Sequence, residues 1–110
     1  MFIVSLTYTA PLADIDANLV AHRAFLDRHF ATGAFLASGP KQPRTGGVIL
    51  ATVADRATLE RILDEDPFKR QDLAQYAVEE FDITRHHPAL PALVRDRLLL
   101  KVGAEVPKTR

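Results

Sequence analysis

Four histidines and fourteen aspartates and glutamates are the groups with which this chain could move protons, and the absence of cysteine excludes disulfides, thiolate nucleophiles and Cys-ligated zinc together. Two of the histidines fall in a periodic segment. Along residues 15–30, Ile15, Leu19, Leu26 and Phe30 recur at helical spacing, and counting about 100° per residue places His22 and His29 on the same stripe. An inward-facing imidazole needs a partner, because a buried polar group left unsatisfied costs about 1 to 3 kcal/mol. A second periodic segment offers one. Counted from Leu59, Asp66 falls between Ile62 and Leu63 on an inward stripe, provided the helix lasts that far. A histidine and an aspartate projecting from neighbouring helices toward one sheet can meet, and the carboxylate then fixes the tautomer and stabilises the imidazolium: a general base with its orienting acid. Asp66 has a second reading as a helix cap, since Asp-Pro opens short helices, with the aspartate bonded to the amide of Phe68 or Lys69 and Pro67 at the first helical position. His22 likewise has a second reading as a core histidine satisfied within the fold, and His29 as a histidine at a helix end.

Other groups carry weaker signals. Ser38-Gly39-Pro40 puts a hydroxyl and an open backbone near the rim of the same space, although a turn is the plainer reading. Arg23, Lys41 and Arg44 could supply a cation to an anionic ligand, against the plainer expectation of solvated side chains. His86-His87 are adjacent and point in different directions, so chelation would need outside ligands. No metal is expected. No nucleotide cofactor is expected either, since no glycine-rich phosphate loop joins a strand to a helix.

The elements that must position these groups follow from periodicity. Residues 1–9 alternate Phe2, Val4, Leu6, Tyr8 against Ile3, Ser5, Thr7, Thr9, the pattern of a half-buried strand. A helix capped by Asp14 or Asp16 runs to a C-terminal glycine at Gly33. Residues 35–37 form a short second strand stopped by Gly39-Pro40, and residues 41–45 are a proline-broken connection to Gly46-Gly47. Residues 48–54 are a third strand, apolar on both parities. Asp55 caps a second helix, and Pro67 marks its stop or restart. A fourth strand over residues 76–83 changes phase near Glu79-Glu80, which predicts a bulge. Strand, helix, strand, strand, helix, strand is the ferredoxin-like βαββαβ order, an α+β fold with an antiparallel sheet and two helices on one face. The domain is expected over residues 1–86, followed by a C-terminal extension over 87–110 with a short amphipathic helix from Pro91 through Leu93, Val94 and Leu98 and a frayed end.

Two helices cover only one side of the sheet, so the apolar residues of the other face need a cover. A second copy packed sheet against sheet, a homodimer or an assembly of dimers, supplies it; the tail folded across the sheet is the other solution. Fourteen Lys and Arg balance the fourteen acids, which removes the positive field that nucleic acid would need. The apolar fraction of 47% with a mean hydropathy of -0.02 fits a globular core, and no stretch is long and apolar enough for a membrane span. A cytoplasmic protein is expected.

His22, Gly33, Ser38-Gly39-Pro40, Gly46-Gly47 and Asp66-Pro67-Phe68, taken together with their spacing, resemble the YCII-related (YciI-like) proteins over roughly residues 1–84. The resemblance implies a ferredoxin-like fold of the dimeric α+β barrel superfamily. It also implies that His22 and Asp66 form an active-site pair, with Ser38, Gly39, Pro40 and Phe68 lining the substrate site. Where such proteins are tied to chemistry, the resemblance implies cofactor-free acid–base work on small cyclic or aromatic compounds, such as dehydrochlorination of a chlorinated hydroxyquinol. The expected function is a small lyase or isomerase in which His22 takes a proton and Asp66 stabilises the charged ring, in a pocket walled by residues such as Phe2, Val4, Phe25 or Phe30. A small-molecule-binding or regulatory module using the same pocket without turnover is the alternative, and a purely structural subunit is a third.

Overall fold

The computed structural model describes residues 1–90; the expected tail helix from Pro91 lies outside them. The elements are β1 (Phe2–Tyr8), α1 (Leu12–Ala17), α2 (Leu19–Ala31), β2 (Phe35–Pro40), β3 (Gly46–Ala51), α3 (Arg56–Leu63), α4 (Pro67–Arg70) and β4 (Ala74–Glu80). The strands form one antiparallel sheet in the order β2-β3-β1-β4. This is the ferredoxin-like α+β fold that the element order predicts.

Alternation in β1 decides which way the sheet faces. Phe2, Val4 and Leu6 are buried under the helices, while Ile3 and Ser5 point to the other side and are only partly covered. Cross-strand register carries that division outward, pairing Val4 with Ile49 and Val78, and Phe2 with Ala51. The core joins these residues to Ile15, Phe25, Phe35, Leu59, Leu63 and Phe68. At the centre of the sheet β1 and β3 approach so closely that a Cβ on Gly46 would stand 1.8 Å from the carbonyl oxygen of Leu6, so only glycine fits there.

The helical layer departs from the sequence pattern in one instructive place. A single helix from Asp14 or Asp16 to Gly33 is expected; two are found, broken at Asn18, and neither acid caps the first, whose N-cap is Pro11. The cause is local. The Asn18 side-chain amide donates to the carbonyl oxygen of Asp14 at 3.0 Å, in competition with the backbone ladder, and Asn18 leaves helical geometry with φ -107° and ψ 5°. A new helix starts immediately, its His22 amide bonded to the Asn18 carbonyl at 3.0 Å. It ends as expected at Gly33, whose φ of 81° suits glycine.

The strands differ from expectation mainly at their ends. β2 continues through Ser38, Gly39 and Pro40, which therefore belong to a strand and not a turn. Its pairing with β3 slips between Phe35 and Ala37, and that is where the sheet is irregular. β4 pairs with β1 without a break from Ala74 to Glu80, so the bulge expected at Glu79-Glu80 is absent. The apparent phase change arises because Phe81 and Ile83 lie past the strand, Phe81 adding only one backbone bond to Met1. Asp55 caps α3 as expected, accepting from the Thr58 amide at 2.8 Å.

Candidate functional site

Asp66 is where the helical layer turns toward the sheet. α3 stops at Leu63, short of Asp66, and the chain restarts as α4 with Asp66 at its N-cap and Pro67 in the first turn. One carboxylate oxygen, Oδ1, accepts the Phe68 amide at 3.0 Å. The same oxygen lies 2.8 Å from Nδ1 of His22, and Oδ2 accepts the Tyr76 hydroxyl. Asp66 thus makes both of the contacts that its two sequence readings require, capping a helix and bonding a histidine. The residue is 0% exposed, and its burial is tolerated because three donors surround it.

The consequences for His22 follow from valence. An ionised carboxylate only accepts hydrogen bonds, so Nδ1 of the neutral ring carries the proton and Nε2 keeps its lone pair. The ring is held in place from its face as well, stacked on Phe68 with centroids 4.0 Å apart and planes 6° from parallel. The Asp66-Pro67-Phe68 turn therefore supplies both the carboxylate that bonds the His22 ring and the aromatic face on which that ring lies. Tyr76 completes the support. Its hydroxyl is pushed far above the ordinary phenol range, first by burial and then by the Asp66 carboxylate, which keeps it a proton donor to that carboxylate.

His22 opens on a cavity of about 570 Å³ between α2, the end of α1 and the strands β1, β2 and β3. Ser38, Gly39, Pro40 and Phe68, the residues expected beside the pair, all line it. In register, Ser38 and Pro40 lie opposite Ile49 and Gly47 on the helix-covered face. Nothing approaches within 4 Å of where a Gly39 Cβ would stand, so no contact within the described chain demands glycine there. The apolar walls are Leu6, Leu19, Leu26 and Ile49, with Tyr8 at one side. Phe2, Val4 and Phe25, expected as walls, are in the core, and Phe30 is on the surface against Phe35. The α2 residues that line the cavity, Leu19, His22, Arg23 and Leu26, come from its first turns and not its last.

Arg23, Lys41 and Arg44 line the same cavity, whereas the other histidines are placed apart from the pair. His29 sits farther along α2 and pairs through Nε2 with Glu65 at 3.0 Å. His86 and His87 lie beyond β4, bonded to neighbouring backbone. Among the described residues no group of three His, Asp or Glu gathers as a metal ion would require, and no helix is long and apolar enough to cross a membrane. Tyr76 is the functional contact that sequence reasoning missed. Its signal was present: a tyrosine sharing strand parity with Val78 faces the core, and a buried phenol needs an acceptor.

Comparison with known proteins agrees with this architecture. The YCII-related domain model matches residues 1–82. No curated protein matches the sequence. Among solved structures, 5-chloro-2-hydroxyhydroquinone dehydrochlorinase (TftG) from Burkholderia phenoliruptrix AC1100, in complex with 2,5-dihydroxybenzoquinone, is similar with a TM-score of 0.62. The two share 20% sequence identity over 74% of this chain and 93% of the dehydrochlorinase, a likeness that establishes the fold.

Proposed function

The chain belongs to the YCII-related family, and from that premise we propose that it is a small cofactor-free enzyme of lyase or isomerase type, acting on a small cyclic or aromatic metabolite through His22 and Asp66. The observation that carries the reading is the 2.8 Å bond from His22 Nδ1 to a carboxylate that is wholly buried, on a ring that lines a cavity large enough for a single aromatic ring and its substituents. Nε2 of His22 takes a proton from a carbon or hydroxyl of the ligand. Asp66 stabilises the imidazolium that results, and His22 returns the proton later in the cycle. Ser38, Gly39, Pro40 and Phe68 bound the ligand, with Phe68 also holding the catalytic ring flat. The structural neighbour's dehydrochlorination of a hydroxylated aromatic supports this class of chemistry.

A second copy of the chain is proposed to cover the outer sheet face, where Val48 and Leu50 of β3 lie beside Ser5 and Ile3 of β1 with no helix above them among the described residues. Sedimentation at micromolar concentration is expected to show a dimer or larger assembly, and a monomer would refute that part of the reading. The activity is tested by turnover of chlorinated and hydroxylated benzenes by wild type and His22→Gln. Turnover that falls by about 10²- to 10⁴-fold in the variant is expected. Binding without turnover would reassign the cavity to a sensor or regulatory module.

A further inference from the structure

Charge around the cavity is uneven in a chain whose net charge is zero. Its lining includes Arg23, Lys41 and Arg44 against a single solvent-accessible carboxylate, Asp16. Asp66 is wholly buried and is not part of the cavity lining. The three cations are not equivalent. Arg44 is already matched, its Nη2 lying 2.5 Å from Oδ1 of Asp16, a bond that also raises the guanidinium's affinity for its proton. Lys41 directs its ammonium to the hydroxyl of Thr7 at 3.4 Å, and Thr7 alternates with Leu6 and Tyr8 to face the other side of the sheet. That leaves Arg23. It stands four residues after Leu19 and three before Leu26, both of which line the cavity, so it shares the ligand-facing side of α2 with His22. No carboxylate among the described residues pairs with it.

We infer that the ligand is a ring compound bearing an anionic substituent, and that Arg23 is the residue that reads this charge. The inference rests on the proposed site at His22 and names its substrate class. Arg23 is itself exposed, but an anion seated against the walls formed by Leu19, Leu26, Ile49 and Phe68 is shielded from water on that side, which strengthens the guanidinium's pull on it. With the charged group held at Arg23, one residue along from the base, the ring is directed inward toward His22 and Phe68. Asp16 acts in the opposite sense, neutralising Arg44 and leaving one cation to set the orientation.

The test compares two probes differing by one carboxylate, 2,5-dihydroxybenzoate and hydroquinone, by calorimetric titration against the full chain. Wild type is expected to prefer the benzoate by about tenfold or more, and the preference should shrink with added salt. Arg23→Gln, at an exposed position that leaves the fold intact by circular dichroism, should bring the two affinities to within about twofold. Asp16→Asn should release Arg44 and widen the preference. Equal affinities in wild type, a preference that survives Arg23→Gln, or no binding of either probe would each overturn the inference. The catalytic reading fails separately: His22→Gln keeps the anion preference, so a wild type that discriminates the probes but turns over no substrate would refute the enzyme and leave Arg23's role standing.

Discussion

Helix α2 carries two histidine–carboxylate pairs whose rings are almost equally covered, with side-chain exposures of 12% for His22 and 13% for His29. Their acids differ. Asp66 is wholly buried and fixed by a backbone amide and a tyrosine, whereas the Glu65 side chain is 47% exposed and shared with Arg28 at 3.6 Å. His22 lies flat on Phe68 beside a cavity; His29 meets Phe25 and Phe35 at an angle and is absent from the cavity lining. A histidine and a carboxylate at bonding distance are therefore not enough to suggest a base. What separates the two is whether the acid is itself held, so that the ring has one orientation, and whether the free nitrogen has a ligand-sized space to serve.

The comparison can be broken by substitution on either side. The largest expected effect is on turnover: His22→Gln lowers it by about 10²- to 10⁴-fold, and His29→Gln leaves it within about twofold, measured on one substrate under identical conditions. Next is stability. Asp66→Ala removes a cap and strips the acceptor from the Tyr76 hydroxyl and the His22 ring, which should cost about 2 to 4 kcal/mol by urea denaturation, whereas Glu65→Ala should cost under about 1 kcal/mol.

Tyr76→Phe isolates one support, leaving Oδ2 of Asp66 without its donor for about 1 to 2 kcal/mol. It also carries a pH signature. Because the folded-state pKa of Tyr76 lies above the unfolded value of about 10, its contribution is whole below that pH and is lost progressively as pH rises beyond it. The difference between wild type and Tyr76→Phe should thus shrink in alkaline denaturation curves. The smallest effect belongs to Asp55, a cap in open water. The Thr58 amide holds its carboxyl below the usual range, so its stabilisation is present above that range and fades as pH falls through the lowered value. Asp55→Asn should keep most of the cap and flatten this acid dependence in thermal melts.

How much of this the sequence discloses varies with the range of the interaction. The alternation of residues 2–8 and the β-branched run after Gly47 are local signals, and both strands formed, the second starting at Gly46 and ending at Ala51, three residues short of its expected end. His22 was legible as an inward-facing group from helical periodicity and the Asp-Pro signature named the cap, whereas the count that turned Asp66 inward assumed a helix that stops short of it. That one carboxylate does both was not legible, because it depends on α3 ending at Leu63 and on the turn that carries Asp66 beneath α2. The break at Asn18 escaped for a related reason: the apolar stripe reads through it, and the competing side-chain bond to Asp14 is visible only in three dimensions. The cavity walls were misplaced as a result, since the stripe predicts burial without saying which buried residues meet a space. Tyr76 needed strand parity and a search for its acceptor in the same step.

The central claim, that Asp66 holds His22 so that Nε2 is the free base, is tested most directly by the ring itself. Two-dimensional ¹⁵N–¹H correlation of the imidazoles, in the pH range where the rings are neutral, reports which nitrogen carries the proton. The account predicts the Nδ1–H form for His22 in wild type, together with a mixture of tautomers in Asp66→Ala. A wild-type His22 protonated on Nε2, or a tautomer unchanged by Asp66→Ala, would contradict it.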